Sequence, residues 1–323
     1  MAKPKPARGQ RLDGVVRVAD EAAANRIFQR SFIGTLGPGN ALTLSDVEAA
    51  WLVTQERLAV DGQTVASLLR AAGRAAEVGF LAYADLRDRG LVVRHDGDAF
   101  AVWPRGHGPP APPQFRLHVR AEREPVPAAT LQAWAAAGDL VAVVDEDGAV
   151  THYRMAPESP AGNVPVGELP ACEAFPMTDR VLVADGGPLQ AAFLGTPTGA
   201  GLVLSFTEAE WLHGRGVLAH SVAAAARKAQ PDFDLVLAAY SRLRAAGLVV
   251  KSGFKFGTHL RAYTDDPDRT HAQFLVHCHA PGSSHAWVEL SRAVRLAHGV
   301  RKRFLLAVVG DEVAFVGFEW FRP

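Results

Sequence analysis

Cysteine is scarce in this chain: Cys172 and Cys278 are the only two among 323 residues. They stand far apart, which excludes a disulfide framework and fits a reducing, cytoplasmic setting. No apolar run approaches the roughly 18 residues of a membrane-spanning helix. The basic opening, MAKPKPARGQR, has no apolar stretch behind it, so no secretory signal is read, and residues 1–12 are expected to be a loose tail. Net charge is absent too, with 34 basic residues balanced by 34 acidic ones. This excludes attraction of nucleic acid by the molecule as a whole, and any cationic surface must be local. What remains, 48% hydrophobic and 21% charged, is the composition of a globular protein long enough for several cores.

The chain repeats itself. ALTLSDVEAAWL (41–52) returns as GLVLSFTEAEWL (201–212), with Ser45 and Ser205 160 residues apart. Serine followed three places later by Glu48 or Glu208 is a capping box, so each stretch opens a helix, with Trp51 or Trp211 on its apolar side. LAYADLRDRGLVVR (81–94) matches AAYSRLRAAGLVVK (238–251), pairing Tyr83 with Tyr240 and Gly90 with Gly247. Each reads as a helix stopped by glycine and followed by a strand. LVAVVDEDGAVTHYR (140–154) matches LLAVVGDEVAFVGFEWFR (305–322), each a strand, an acidic turn and a second strand. A steady offset near 160 marks a duplicated unit of roughly 150 residues rather than a solenoid. The Pro- and Gly-rich stretch 157–178 is read as the linker between copies.

The copies diverge between the Leu-Val-Val strand and the last hairpin. The second carries Gly-Phe-Lys-Phe-Gly at 253–257, Tyr263 ending a strand, His-Ala at 271–272 and Val276, Arg-Leu-Ala at 295–297, Val-Arg-Lys at 300–302, then Trp320 and Arg322. As an ordered set these motifs resemble the archaeal tRNA-splicing endonucleases, in the two-subunit, homodimeric form whose chain is duplicated. The resemblance covers the second half and extends through the repeats to the first. It implies an α+β fold, a tandem duplication in which each half has a small mixed α/β N-terminal subdomain and a mixed-sheet, restriction-endonuclease-like C-terminal subdomain. The expected boundaries are 13–95 and 96–156 in the first half, and 179–252 and 253–323 in the second.

The resemblance also implies a catalytic set of Tyr263, His271 and Lys302. Trp103, Pro112 and Ala137 occupy approximately the matching places of the first half, and none can move a proton, so that copy reads as scaffold. Cleaving RNA with its own 2′-hydroxyl leaves three tasks: taking that proton, stabilising charge on phosphorus and protonating the departing 5′-oxygen. Three side chains suffice, with no metal or other cofactor. Imidazole, with a reference pKa of about 6.5, suits the acid. Ammonium suits the phosphorane charge. The phenol, near 10, needs a neighbouring cation to serve as a base. Precursor tRNA carrying a bulge–helix–bulge element is the implied partner, cut to 2′,3′-cyclic phosphate and 5′-hydroxyl ends.

THAQFLVHCHAPGSSH (270–285) raises a metal-site alternative. On an alternating strand, however, His271, His277 and His279 share one face while Cys278 takes the apolar other, and His285 lies past a turn. No metal site is read, and His277 and His279 are expected at the surface. Arg292, Arg295, Arg301, Lys302 and Arg303 form a basic run beside the expected site, suited to phosphates. By resemblance, Arg295 and Arg322 are the best matches for a pair of arginines that stack on a bulge base, with Arg301 and Arg292 nearby. The turn at Asp145, Glu146 and Asp147 matches an acidic loop that inserts into the partner of a homodimer. Two other classes remain in view. One is a non-catalytic RNA-binding or structural subunit, which the intact Tyr263, His271 and Lys302 set opposes. The other is a metal-dependent DNA nuclease, which needs clustered carboxylates; Asp265, Asp266 and Asp268 fall in a solvated loop instead. Neither DNA nor a membrane is expected as a partner.

Overall fold

A computed structural model describes residues 5–323. Each half opens on a small sheet. The first has five strands, Ala7–Leu12, Val15–Val18, Thr35–Leu36, Leu42–Leu44 and Leu58–Val60. The second has four, Phe175–Pro176, Arg180–Val183, Thr196–Thr198 and Gly201–Ser205. The expected tail is therefore corrected from Ala7 onward. Ala7–Leu12 runs antiparallel to Val15–Val18 and parallel to Leu58–Val60. Its inward positions are Ala7 and Gly9, too small to read as an apolar alternation, and a Cβ on Gly9 would stand 2.9 Å from Val16. Residues 1–4 of that expectation lie outside the described residues.

The repeated helix starts fold alike. Helices Asp46–Thr54 and Phe206–Gly214 both begin with the full capping box. The buried Glu48 carboxylate also accepts the Gly34 N–H at 3.1 Å, and Glu208 accepts that of Gly195 at 3.0 Å. Trp51 meets Tyr83 edge-on at 6.2 Å, and Trp211 meets Tyr240 at 5.8 Å.

The larger body is one ten-stranded mixed sheet. Its strands in chain order are β1 (Val92–Asp96), β2 (Ala99–Trp103), β3 (Phe115–Ala121), β4 (Leu140–Val144), β5 (Val150–Glu158), β6 (Val249–Ser252), β7 (Leu260–Tyr263), β8 (Phe274–His279), β9 (Arg303–Val309) and β10 (Val313–Phe321). Across the sheet the order is β6-β7-β8-β9-β10-β5-β4-β3-β2-β1. Outward from the antiparallel β10–β5 seam, the two wings repeat one pattern, with β8–β9 and β3–β4 the parallel pairs. Four helices cover it: α1 (Arg74–Asp88), α2 (Ala128–Ala137), α3 (Phe233–Ala245) and α4 (Trp287–Gly299). α1 and α3 each cover one wing on the same face. α2 and α4 share the other face, where Trp134, Trp287, Phe304 and Phe318 build a core across the seam. Burial on both faces explains why β4 and β9 read as unbroken apolar runs rather than alternations.

Two expected boundaries move. β1 and β6 are hydrogen-bonded edge strands of the large sheet, so the subdomains expected to begin at 96 and 253 begin earlier, with α1 and α3. The expected linker, 157–178, is partly built in. β5 runs into it to Glu158. Gly162 then packs on Gly247 so closely that a Cβ would lie 2.5 Å from its carbonyl oxygen. The Asn163 N–H donates to Thr264 at 2.8 Å.

Candidate active site

Tyr263 ends β7, His271 lies three residues ahead of β8, and Lys302 directly precedes β9. Because β8 and β9 run parallel, their starts lie at one edge of the sheet. Because β7 runs antiparallel to β8, its end lies there too. Alternation then sets the face. Leu260 and Ala262 pack toward α3, as do Phe274 and Val276. Tyr263, Gln273 and, by the same parity, His271 therefore turn toward the α4 side. Leu275 and Phe304 already belong to that side, and Lys302 shares the parity of Phe304. Tyr263 at the end of β7, and His271 and Lys302 in the segments leading into β8 and β9, thus lie at one edge of the sheet, and parity sets them toward one face.

Local bonds hold this edge. The Lys302 ammonium donates to the carbonyl of Ala272, next to His271, at 2.9 Å, and lies 5.5 Å from the Phe256 ring centre. The Gln273 side-chain oxygen accepts the Thr264 N–H at 2.9 Å, tying the residue after Tyr263 to the start of β8. The Tyr263 ring has Arg261 at 5.8 Å. His271 is exposed, and Tyr263 and Lys302 are half-buried. Gln273 and Phe256 escape a motif reading, since only the fold brings them to this edge. At the matching edge of the other wing, Trp103 is buried and its indole N–H donates to Ala111 at 2.7 Å, Pro112 is exposed, and Ala137 ends α2.

The arginines divide. Arg295 and Arg322 line one groove of about 470 Å³ together with Arg89 and Trp320. Arg292 and Arg295 line a second, of about 280 Å³, with Glu122 and Asp145. Arg301 is exposed, with a left-handed φ of 56°, where the chain leaves α4 for Lys302. Among the described residues, Arg292, Arg295 and Arg322 have no hydrogen-bond or ion-pair partner. In the acidic hairpin, Asp145 accepts the N–H groups of Asp147 at 3.1 Å and Ala149 at 2.8 Å. Glu146 pairs with Arg123 at 2.7 Å, and Asp147 is exposed.

The histidine-rich stretch departs from expectation. His277 and His279 are half-buried rather than fully at the surface; with His259 and His285 they form a file, with ring centres 5.2, 5.8 and 3.8 Å apart in the order 259, 277, 279, 285. Loss of hydration pushes His277 down to about 4 and His279 to about 3, and the neighbouring imidazoles add to both shifts. His259 donates to Asp232 at 2.7 Å while its other nitrogen accepts the Cys278 N–H at 2.9 Å. That arrangement fixes one neutral tautomer. Cys278 sits buried on the opposite face, where burial raises its thiol pKa. Among the described residues, no group of three or more His, Cys, Asp or Glu side chains is arranged to hold a metal ion. Nor is any helix long and apolar enough to cross a membrane.

Residues 233–315, which contain Tyr263, His271 and Lys302, match the family described as tRNA intron endonuclease, catalytic C-terminal domain. Residues 7–68 match its N-terminal domain. The chain is 36% identical to the tRNA-splicing endonuclease of Haloferax volcanii, over 94% of this chain and 96% of the relative. It is 37% identical to that of Halobacterium salinarum, over 84% and 87%, and 30% identical to that of Methanococcoides burtonii, over 91% and 94%.

Proposed function

This chain belongs to the tRNA intron endonuclease family, and we propose that it cuts precursor tRNA at bulge–helix–bulge elements through Tyr263, His271 and Lys302. The observation that carries the reading is the shared edge and face of these three residues, within the segment matched to the family's catalytic domain. In the proposed reaction Tyr263, as phenolate beside the Lys302 cation, takes the proton of the 2′-hydroxyl and becomes the neutral phenol. The 2′-oxygen then bonds to phosphorus as the bond to the 5′-oxygen breaks. Lys302 faces the extra negative charge on the phosphoryl oxygens, and His271, as imidazolium, protonates the departing 5′-oxygen. The products are a 2′,3′-cyclic phosphate and a 5′-hydroxyl. The nucleophile belongs to the RNA, so the three groups cover every proton and charge without a metal. An RNA with a 2′-deoxy nucleotide at the cleavage position should resist cutting, and the normal product should carry a cyclic phosphate by mass spectrometry. Cleavage of the deoxy substrate would overturn the mechanism.

The matched capping boxes, Trp–Tyr pairs and sheet wings support a tandem duplication in which a proton-inert copy is kept as framework, each copy ending in a restriction-endonuclease-like sheet. Two bulges a fixed distance apart call for two active sites related by symmetry, which one such chain lacks and a homodimer supplies. Asp145, Glu146 and Asp147 are the proposed contact with the partner, and Arg295 and Arg322 the proposed clamp on a bulge base. Converting all three acids to amides should give a monomer by light scattering; an unchanged dimer would refute the loop's role.

A further inference from the structure

The segment that joins the halves has no regular secondary structure, yet hydrogen bonds and an ion pair fasten it to the catalytic edge. Glu158, the last residue of β5, turns its side chain across β10 and pairs with Arg303 at the start of β9. β10 offers only Gly317 at the crossing, where a Cβ would stand 2.8 Å from the Glu158 side chain. Pro160 is then buried. The Gly162 N–H donates to the Ala246 carbonyl at 2.9 Å, that of Asn163 to Thr264 at 2.8 Å, and that of Val164 to Gly247 at 2.8 Å. Arg303 follows Lys302 in the chain, and Thr264 follows Tyr263. Residues 158–164 are therefore a strap, fastened next to two of the three proposed reacting groups.

The strap closes a clamp. β7 ends at Tyr263, so Thr264 lies just beyond the strand. Its N–H donates to the Gln273 side chain at 2.9 Å, and its carbonyl accepts the Asn163 N–H. Both main-chain groups of the residue after the phenol are thus held, one from the start of β8 and one from the strap. Gln273 extends the hold to the third strand, because its own carbonyl accepts the Arg303 N–H at 2.8 Å. Leu260, Ala262 and Leu305 face α3, so Thr264 and Arg303 share that side by parity. The strap therefore braces the edge from the α3 side and does not cover the α4 side, toward which Tyr263, His271 and Lys302 are set. The proton-inert wing is fitted differently. Gly90, the counterpart of Gly247, is covered there by the Arg105 side chain, which donates to the Arg89 carbonyl at 2.7 Å. Covering that turn does not call for a strap; holding a strand end in place to within about 1 Å for a reaction does.

We propose that the strap 158–164 and Gln273 form a positioning clamp, which fixes the Tyr263 end of β7 against the Lys302 start of β9. This rests on the functional reading above and gives the segment between the halves a part in the reaction. The test measures single-turnover cleavage of a bulge–helix–bulge RNA, affinity for the same RNA made uncleavable by 2′-deoxy nucleotides at both cut positions, and the thermal melt. In Gly162→Ala the new methyl would lie 2.5 Å from the Gly247 carbonyl oxygen and 3.0 Å from that of Thr264, which lifts the strap off both. Cleavage should fall by about tenfold to 10²-fold, with affinity within about threefold of the wild type. Gln273→Ala frees the Thr264 N–H and should slow cleavage by about tenfold, again with affinity kept. Gly167→Ala, later in the same segment with open space around it, should cut like the wild type. A folded Gly162→Ala or Gln273→Ala protein that cuts at the wild-type rate overturns the inference. So does a loss that falls on affinity rather than on rate, because the strap would then be an RNA contact. If one variant is unfolded at the assay temperature, the other decides; if both are, the clamp is framework and the inference falls. A wild type that neither binds nor cuts the RNA overturns the functional reading and this inference with it.

Discussion

In the first half, the Arg87 guanidinium lies 5.1 Å from the Trp51 ring and donates to the carbonyls of Leu91 and Ser31. In the second, Arg244 lies 5.6 Å from Trp211 and donates to Leu248 and Ala192. Around these posts, helix, glycine stop and strand are laid out alike. The sheet edges differ: one presents Tyr263, His271 and Lys302, the other Trp103, Pro112 and Ala137. A buried cation with fixed carbonyl partners is expensive to alter, since a change strands a charge or a carbonyl. At the edges the constraint is lighter where a side chain faces solvent, as His271 and Pro112 do. Packing can hold two wings alike while their edges go separate ways, so chemistry must be sought at the edges.

The sharpest way to break the comparison is to exchange an edge residue. His271→Ala should reduce single-turnover cleavage by about 10²–10⁴-fold, the range general acid catalysis contributes. Pro112→Ala, at the counterpart position, should leave the rate unchanged. Comparable losses in the two variants would mean that the first wing takes part in the chemistry. Lys302→Ala should follow at about 10²–10³-fold, as for loss of one preorganised electrostatic contact. Because the Lys302 ammonium is hydrogen-bonded to Ala272, a melt must accompany this rate.

The framework can be tested by its own small asymmetry. Glu48 and Glu208 are both buried and serve the same capping box, but Glu208 also pairs with Lys251 at 3.0 Å. The residue at the matching place in the first half, Arg94, reaches Thr35 instead. Glu48→Ala should cost about 1–3 kcal/mol by urea unfolding, for buried N–H groups left unpaired. Glu208→Ala should cost roughly 1 kcal/mol more, because Lys251 keeps only a carbonyl partner. Equal costs would show that the added ion pair contributes nothing net.

Much of this was legible in the residues. Capping boxes, glycine stops and apolar runs are local signals, and the repeat doubles each of them. Tyr263, His271 and Lys302 were legible only as a set, through resemblance; singly, each is an ordinary strand end, loop or helix end. The strand Ala7–Leu12 was not legible, because its inward side is made of Ala7 and Gly9 and its register depends on Leu58–Val60, about fifty residues away. The histidine file was half legible. Alternation gave His277 and His279 their common face, but their burial comes from His259 and His285, which only the folded sheet and α4 bring over them.

That file supports the smallest difference between the wings, and it is one of pH. The groups facing it are Asp232 at the start of α3, Glu289 on α4, and the four imidazoles themselves. Folding lowers His277 and His279 to about 4 and about 3, whereas an unfolded histidine sits near 6.5. Below about 6.5 the unfolded chain therefore binds more protons than the folded one, so stability falls as pH drops from about 6.5 toward 3 and is level above that window. In the first wing, His118 stands where alignment places His277, and it is bonded to Asp139 at 2.9 Å and stacked on Trp134 at 4.0 Å rather than on other imidazoles. The first wing holds two lowered imidazoles of its own, His152 at about 4 and His95, against three in the second, His259, His277 and His279, so acid should loosen the second wing more than the first. Amides of β6–β8 should lose more protection between pH 7.5 and 5 than those of β1–β3, once exchange is corrected for intrinsic rate. His279→Gln should narrow the gap, because it removes the imidazole shifted furthest. Equal loss in both wings, or a gap untouched by that substitution, would show that the file is not where acid acts.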